Sequence, residues 1–320
     1  MSGNSTPAVQ VTGLTKEYQT RGSTRRVVDG LDLSIEPGQV LGLLGVNGAG
    51  KTTTIKMICG LVTPTAGQVS VNGCDVRRSR RRAMARIGAV LEGTRNIHWQ
   101  LSAWENLRYF ARLKGARGRS WSPRAESLLR DLGLWERRHE PVTRFSRGMQ
   151  QKVAIACALV GDPPVILLDE PTLGLDTQAA RTVRNWVDRL AREEGRTVLL
   201  TSHQLEVVQD LCDRVAVIHE GRLLIDQPVK ELLALFRKDT YQIRLGGRVD
   251  AADPAWGEVE VATSAEEITL TGEINDQAEL HALLAHARDR SLTVLAVSRL
   301  EPTLEEVFLR VVQAEQEQAR

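Results

Sequence analysis

Short, almost wholly apolar runs recur along much of the chain, at residues 40–44, 87–91, 165–168 and 197–200. Runs of this length, bounded by polar or glycine-containing turns, predict strands buried on both faces, the pattern of a parallel sheet. Residues 178–194 carry Val183, Val187, Leu190 and Ala191 on one helical face, and Gly195 stops the pattern. Nearer the start, Val9 and Val11 alternate with polar neighbours, as do Leu31, Leu33 and Ile35 before a Pro37-Gly38 turn. That alternation predicts a β-rich stretch over residues 8–45. Residues 94–160 read as helix-rich. The expected first domain, residues 1–236, is therefore an α/β core with a β-rich subdomain and a helical subdomain at about 94–160.

From Thr240 the pattern changes. Tyr241, Ile243 and Leu245 alternate, then Val259 and Val261, then Ile268 and Leu270. A helix is predicted over 278–290, a strand over 292–297 and a last helix from Leu304, with Thr303 and Glu306 in capping-box spacing at its start. These elements predict a small C-terminal α+β domain over residues 240–320, with three or four strands and two helices.

Three segments carry chemistry. Residues 45–52, Gly-Val-Asn-Gly-Ala-Gly-Lys-Thr, fit G-x-x-x-x-G-K-[ST] between a predicted strand and a predicted helix. Such a loop turns backbone N–H groups toward an anion, and the helix start adds its dipole. Lys51 would reach the outer phosphates of a nucleotide, and the Thr52 hydroxyl would sit on Mg²⁺. Asp169 and Glu170 end an apolar strand, where open α/β sheets bind ligands. Asp169 would hold Mg²⁺ and Glu170 would polarise the attacking water; a carboxylate pair capping the next helix is the alternative. Residues 145–151, Phe-Ser-Arg-Gly-Met-Gln-Gln, have no evident task within the same chain beyond a helix cap at Ser146.

On these motifs and their order, the chain resembles the ATPase subunits of ATP-binding cassette (ABC) transporters over about residues 8 to 230. The resemblance implies a P-loop NTPase cassette that binds ATP and Mg²⁺. Residues 45–52, with Gly45, Asn47, Gly48, Gly50, Lys51, Thr52 and the adjoining Thr53, resemble the Walker A loop, and residues 165–170 Walker B. Tyr18 sits where the family stacks an aromatic ring on adenine, and Asp176 falls in a D-loop-like Gly174-Leu175-Asp176. His203, after the strand at 197–200, resembles the switch histidine that contacts the γ-phosphate. The family packs two cassettes head to tail, so Ser146 and Gly148 of the signature-like segment would reach the nucleotide held by a second copy.

Two positions depart from the family pattern. The signature reads Phe-Ser-Arg-Gly-Met, similar to the Ser-Arg-Gly-Met form of ABC-2 type export cassettes. At the Q-loop the usual Gln is Glu92, a candidate Mg²⁺ ligand that brings an extra negative charge to the phosphates, or else a solvated loop carboxylate. The stretch from Pro302 to Phe308 resembles the ending of drug-resistance export cassettes. An ABC-2 type exporter subunit, driving a permease on a separate chain, is the function the resemblance implies. An importer cassette shares the catalytic motifs. A soluble ABC ATPase acting on ribosomes or DNA is disfavoured, because there is one cassette, no heptad run and no Cys₄ spacing.

Composition narrows the class without choosing a cargo. The chain has 320 residues, 42% hydrophobic and 26% charged, with a formal net charge of +2. These values are ordinary for a soluble globular protein. No apolar run is long enough to span a bilayer, and residues 1–8 are short and polar, with no secretory signal. Cys59, Cys74, Cys157 and Cys212 are widely spaced and read as buried small hydrophobes. The expected location is peripheral, on the cytoplasmic face of a membrane, with no nucleic-acid partner. The run Arg77-Arg78-Ser79-Arg80-Arg81-Arg82 reads as a solvated surface helix, with anionic headgroups or nucleic acid as alternative partners. Trp99 and Trp104 fall where the family docks its permease; core packing is the alternative, especially for Trp104.

Overall fold

The alternating residues near the start form β1 (Val9–Thr20) and β2 (Ser23–Ile35), an antiparallel pair. The next apolar run is β3 (Val40–Leu44), buried at every position, and it turns into α1 (Lys51–Ile58). Then come β4 (Ala66–Val71), β5 (Cys74–Asp75), α2 (Arg80–Ala85) and β6 (Ile87–Val90). The helix-rich stretch contains α3 (Ala103–Leu113), α4 (Ser122–Asp131) and α5 (Arg147–Leu159). Alternation of strand and helix resumes with β7 (Val165–Asp169), α6 (Thr177–Arg192), β8 (Thr197–Thr201), α7 (Leu205–Leu211), β9 (Arg214–His219) and β10 (Arg222–Pro228). This computed structural model describes residues 6–20, 22–92, 97–236, 239–247, 256, 259–264, 267–274 and 276–318.

Among the described residues, one sheet has the order β2-β1-β4-β5 and a second the order β10-β9-β3-β8-β7-β6. In the second, β3 pairs in parallel with β8 and β9, and β7 with β6 and β8; only the β9–β10 edge is antiparallel. The continuous apolar runs of β3, β7 and β8 are explained by this placement: every residue of each is buried. One apolar cluster joins the two sheets through α1, with Val11, Leu33, Leu41, Ile55 and Leu167 among its members. The parallel register brings the C-terminal ends of β3, β7 and β8 to one side, with Asp169 opposite Thr201.

The helices between β6 and β7 carry their own packing. Trp104 stands 4.9 Å from Trp121 and 5.9 Å from Trp135, ring centre to ring centre, and the Arg130 and Arg138 guanidinium groups flank the Trp135 ring. Trp104 is thus a packing residue, whereas Trp99 is 42% exposed. Helix α2 begins only at Arg80, because the N–H groups of Arg77 and Arg78 donate to the Asp75 carboxylate in a turn. The predicted surface helix therefore covers only the second half of the arginine run. Cys59, Cys157 and Cys212 are buried free thiols, but Cys74, on the short edge strand β5, is only half-buried.

The chain divides into two compact units, Met1–Val229 and Lys230–Arg320, with α8 (Val229–Leu235) crossing the boundary in sequence. The second unit holds β11 (Thr240–Gly246), β12 (Glu260–Thr263), β13 (Glu267–Glu273), α9 (Gln277–Asp289), β14 (Thr293–Arg299) and α10 (Leu304–Gln318). Its strands form an antiparallel sheet of order β12-β13-β11-β14. Its core includes Ile243, Leu245, Trp256, Ile268 and Leu270. The Thr303–Glu306 capping box forms at the start of α10, each residue receiving the other's backbone N–H at 3.3 Å.

Candidate functional site

The loop from β3 into α1 depends on glycine. Gly50 adopts φ 107°, and a Cβ there would lie 2.7 Å from the Val27 carbonyl oxygen. A side chain at that position is excluded by both strain and space. Gly50 is also the N-cap of α1, so no side chain caps the helix start. Its first backbone N–H groups stay available to an anion. Lys51 is 8% exposed, and its Nζ donates to the carbonyls of Gly45 at 2.6 Å and Val46 at 3.2 Å. Burial holds the Lys51 ammonium below its ordinary pKa, against the opposing pull of Glu170, Asp169 and Glu92.

The ends of β7 and β8 supply the carboxylates. Asp169 is buried; its Oδ1 accepts from Thr201 Oγ1 at 2.7 Å and, more weakly, from Thr52 Oγ1 at 3.4 Å. The backbone N–H of Glu92, just after β6, points at Asp169 Oδ2 from 3.5 Å. Glu170 is buried and takes a left-handed backbone, φ 53°, which is uncommon away from glycine and marks a constrained position. Its N–H donates to Thr201 Oγ1 at 3.0 Å, and its Oε2 accepts the His203 N–H at 3.2 Å. His203 Nε2 stands 3.2 Å from Oε1, an ion pair only when the imidazole is protonated. Burial raises the Glu170 pKa; the neighbouring His203 and Lys51 offset part of that rise.

These groups surround one cavity of about 200 Å³. Asn47, Gly48, Gly50, Lys51, Thr52 and Thr53 line it from the loop, and Glu92, Asp169, Glu170 and His203 from the strand ends. The last three strand-end side chains and Glu92 thus meet the phosphate-loop residues, as their motifs require. Gly45 lies behind the loop, with its carbonyl under Lys51. Tyr18, Ser146, Gly148 and Asp176 do not line this cavity. Tyr18 lies on β1 opposite Arg25, 41% exposed, with the Lys16 ammonium 4.9 Å from its ring centre. Ser146 caps α5 by accepting from the Met149 N–H at 3.3 Å, and Asp176 caps α6 by accepting from the Ala179 N–H at 2.7 Å. The two caps are neighbours, since a Cβ on Gly148 would come within 2.9 Å of the Ala179 Cβ. Arg147 lies against Gly174 and shares a second, smaller cleft with Glu92, Asp169 and Glu170.

The residues present fit a nucleotide with a divalent cation. Gly48 has nothing within 4 Å of where its Cβ would be, at a φ of 84°, so the loop is open where a phosphate must approach. Glu170 Oε1 is buried and makes no hydrogen bond unless His203 Nε2, 3.2 Å away, carries a proton, so it keeps acceptor capacity toward the cavity. Among the described residues, no three His, Cys, Asp or Glu side chains converge as a self-sufficient metal site. Mg²⁺ does not need one: it takes one or two protein oxygens, with water and substrate phosphate completing its shell. The Thr52 hydroxyl beside the Asp169 carboxylate is such a pair.

Thr201 is the contact that motif reading missed. It bonds both carboxylate-bearing residues, yet in sequence it stands only as a link between the apolar strand at 197–200 and His203. Its available signal was the parallel register that sets Asp169 opposite it.

Residues 28–173 match the family model described as ABC transporter, and residues 240–298 match one described as a domain of unknown function. The chain is 39% identical over 216 residues to the ABC transporter ATP-binding protein NatA of Bacillus subtilis, covering 68% of this chain and 87% of that one. It is 33% identical over 321 residues to the Nod factor export ATP-binding protein I of Ralstonia nicotianae, covering 96% of this chain and 94% of that one. A solved dimeric structure of the ATP-binding cassette MJ0796 in a post-hydrolysis state, bound to ADP and Pi, superposes with a TM-score of 0.64 at 26% identity. The match covers 69% of this chain and 98% of that one.

Proposed function

The chain belongs to the ABC transporter ATP-binding family, whose cassettes are ATPases, and from that premise we propose that it hydrolyses ATP as the energy-converting subunit of an ABC-2 type exporter. The observation that carries the reading is the convergence of Lys51, Thr52, Glu92, Asp169, Glu170 and His203 on one cavity. Phosphoryl transfer asks a protein for positioning and charge neutralisation more than for covalent chemistry.

In this reading the loop N–H groups and Lys51 hold the phosphate tail. Thr52 and Asp169, with Glu92 beside them, hold Mg²⁺, which supplies neutralisation of phosphate charge. Glu170 accepts the proton of the attacking water. Its burial and raised pKa suit a general base, because they bring its proton affinity closer to neutral pH. His203, tied to Glu170 through its backbone N–H, orients that carboxylate and reaches the γ-phosphate. Tyr18 offers its exposed ring to the adenine. Ser146 and Gly148, which do not line their own chain's cavity, serve the nucleotide of a second copy, with Asp176 at the same junction.

Export is favoured by the match to a Nod factor export ATP-binding protein across nearly the whole chain, including the C-terminal unit that a cassette alone lacks. Among the described residues no helix is long and apolar enough to cross a membrane. The translocation path therefore belongs, in this proposal, to a permease on a separate chain, and the cassette is peripheral to the membrane. Affinity capture of the tagged chain from gently solubilised membranes of its host is expected to recover a polytopic membrane protein in near-equal amount. Recovery of ribosomes or nucleic acid with no membrane protein would overturn the transporter assignment.

A further inference from the structure

We propose that Thr201 is a positioning residue for hydrolysis, whose hydroxyl locks Asp169 and Glu170 into their working geometry. The inference rests on the roles assigned to those two residues above.

A fully buried hydroxyl must find both a donor and an acceptor. Thr201, with no exposed surface, finds both in Asp169, the last residue of β7, and Glu170, which follows it. The Glu170 N–H can only donate, so the Thr201 oxygen accepts it, at 3.0 Å. The hydroxyl proton is then committed to Asp169 Oδ1, at 2.7 Å. One side chain therefore fixes the Asp169 carboxylate and the Glu170 backbone together.

The second bond matters because of the Glu170 conformation. A non-glycine residue in the left-handed region persists only where its surroundings hold it. Glu170 is held at two points: at its N–H by Thr201, and at its carboxylate by the His203 N–H. Both holds come from the end of β8 and the residues just after it, so the aim of the Glu170 carboxylate follows from β8. Strand pairing alone does not require the hydroxyl. The β7–β8 ladder runs through all five residues of each strand, and the other interior positions of β8 are Val198, Leu199 and Leu200. An apolar side chain at 201 would satisfy packing and leave the Glu170 N–H buried without an acceptor.

The test compares Thr201→Val, which keeps the shape and removes the hydroxyl, with Thr201→Ser, which keeps the hydroxyl. The measurements are kcat and KM for ATP hydrolysis, and the Kd for ATP by calorimetry without Mg²⁺. Thr201→Val is expected to lower kcat by about 10- to 100-fold, the loss typical when a supporting hydrogen bond to an active-site ligand is removed. KM and the Mg²⁺-free Kd should stay within about threefold, because the loop and Lys51 are untouched. Thr201→Ser should recover most of the lost kcat. If Thr201→Val does not fold, Thr201→Ala carries the same comparison. A Val or Ala variant that turns over like the parent would overturn the proposal, as would a Ser variant as impaired as Val. Glu170→Gln run in parallel separates the two levels of the argument. Unaltered turnover in that variant removes Glu170 as the base, whereas an inactive Glu170→Gln beside a fully active Thr201→Val defeats Thr201 alone.

Discussion

At the residue scale, Glu170 combines three costs in one position: a left-handed backbone, burial, and a carboxylate oxygen with no hydrogen bond unless His203 Nε2 carries a proton. Its raised pKa converts into a stability statement with a definite sign. The folded protein binds the Glu170 proton more tightly than the unfolded chain does. Stability from this group therefore falls as pH rises from the ordinary carboxyl value of 4.5 through the higher folded value. Glu170→Gln removes the buried charge and is expected to raise the melting temperature at neutral pH. That gain should shrink as the pH is lowered to about 4.5, where the parent carboxyl is itself protonated. Melting curves of both proteins across that range check it. A variant less stable than the parent at pH 7 would mean that the His203 and Lys51 attractions outweigh burial.

At the element scale, helix ends carry both stability and function. Helix α3 opens with a reciprocal cap: Ser102 Oγ accepts the Glu105 N–H at 3.2 Å, and Glu105 Oε2 accepts the Ser102 N–H at 3.0 Å. The Ser102 N–H first, and then the Ser102 Oγ–H, which donates to the same Oε2 at 2.9 Å, hold the Glu105 carboxyl below its ordinary pKa. Ser102→Ala is expected to cost about 1 kcal/mol in chemical denaturation at neutral pH. With a lowered folded pKa, the Glu105 contribution is present above pH 4.5 and is lost as pH falls through the folded value, so the penalty should narrow in acid.

The elements also show where sequence reading runs out. The face of α6 was legible from Val183, Val187, Leu190 and Ala191, all buried, because helical spacing forces them together. Trp186, buried on the same helix, escaped that reading. The polar first half of β2 was not legible, since Ser23, Thr24, Arg25 and Arg26 lack alternation. That half is set by its register with β1, down to Thr20 opposite Ser23, a pairing between strands that no local pattern encodes. In the candidate site, the meeting of Lys51, Asp169 and Glu170 at one cavity was legible, because a Gly-rich turn into a helix and a strand ending in two carboxylates both belong at the C-terminal edge of such a sheet. Thr201 was not, because its role exists only through pairing between strands distant in sequence from the loop.

At the scale of the whole molecule, the placement of Ser146 and Gly148 outside their own chain's cavity makes the arrangement of two copies testable. If each nucleotide lies between the loop of one copy and the α5 start of another, a chain lacking Lys51 and a chain lacking a working Ser146 are each inactive alone. Mixed, they form pairs in which one site joins an intact loop to an intact α5 start. Lys51→Ala removes the phosphate contact. Ser146→Asp keeps a helix cap at α5 and sets a negative charge against the phosphate, so its effect is not a loss of folding. Random mixing of the two inactive proteins is expected to restore up to about a quarter of the parent ATPase rate per chain, since half the pairs are mixed and each carries one complete site of two. The restored rate should also depend on the mixing ratio and peak near equal amounts. Two copies acting as independent, self-contained enzymes predict no recovery at any ratio, and that outcome would place Ser146 and Gly148 back in a purely structural role at the start of α5.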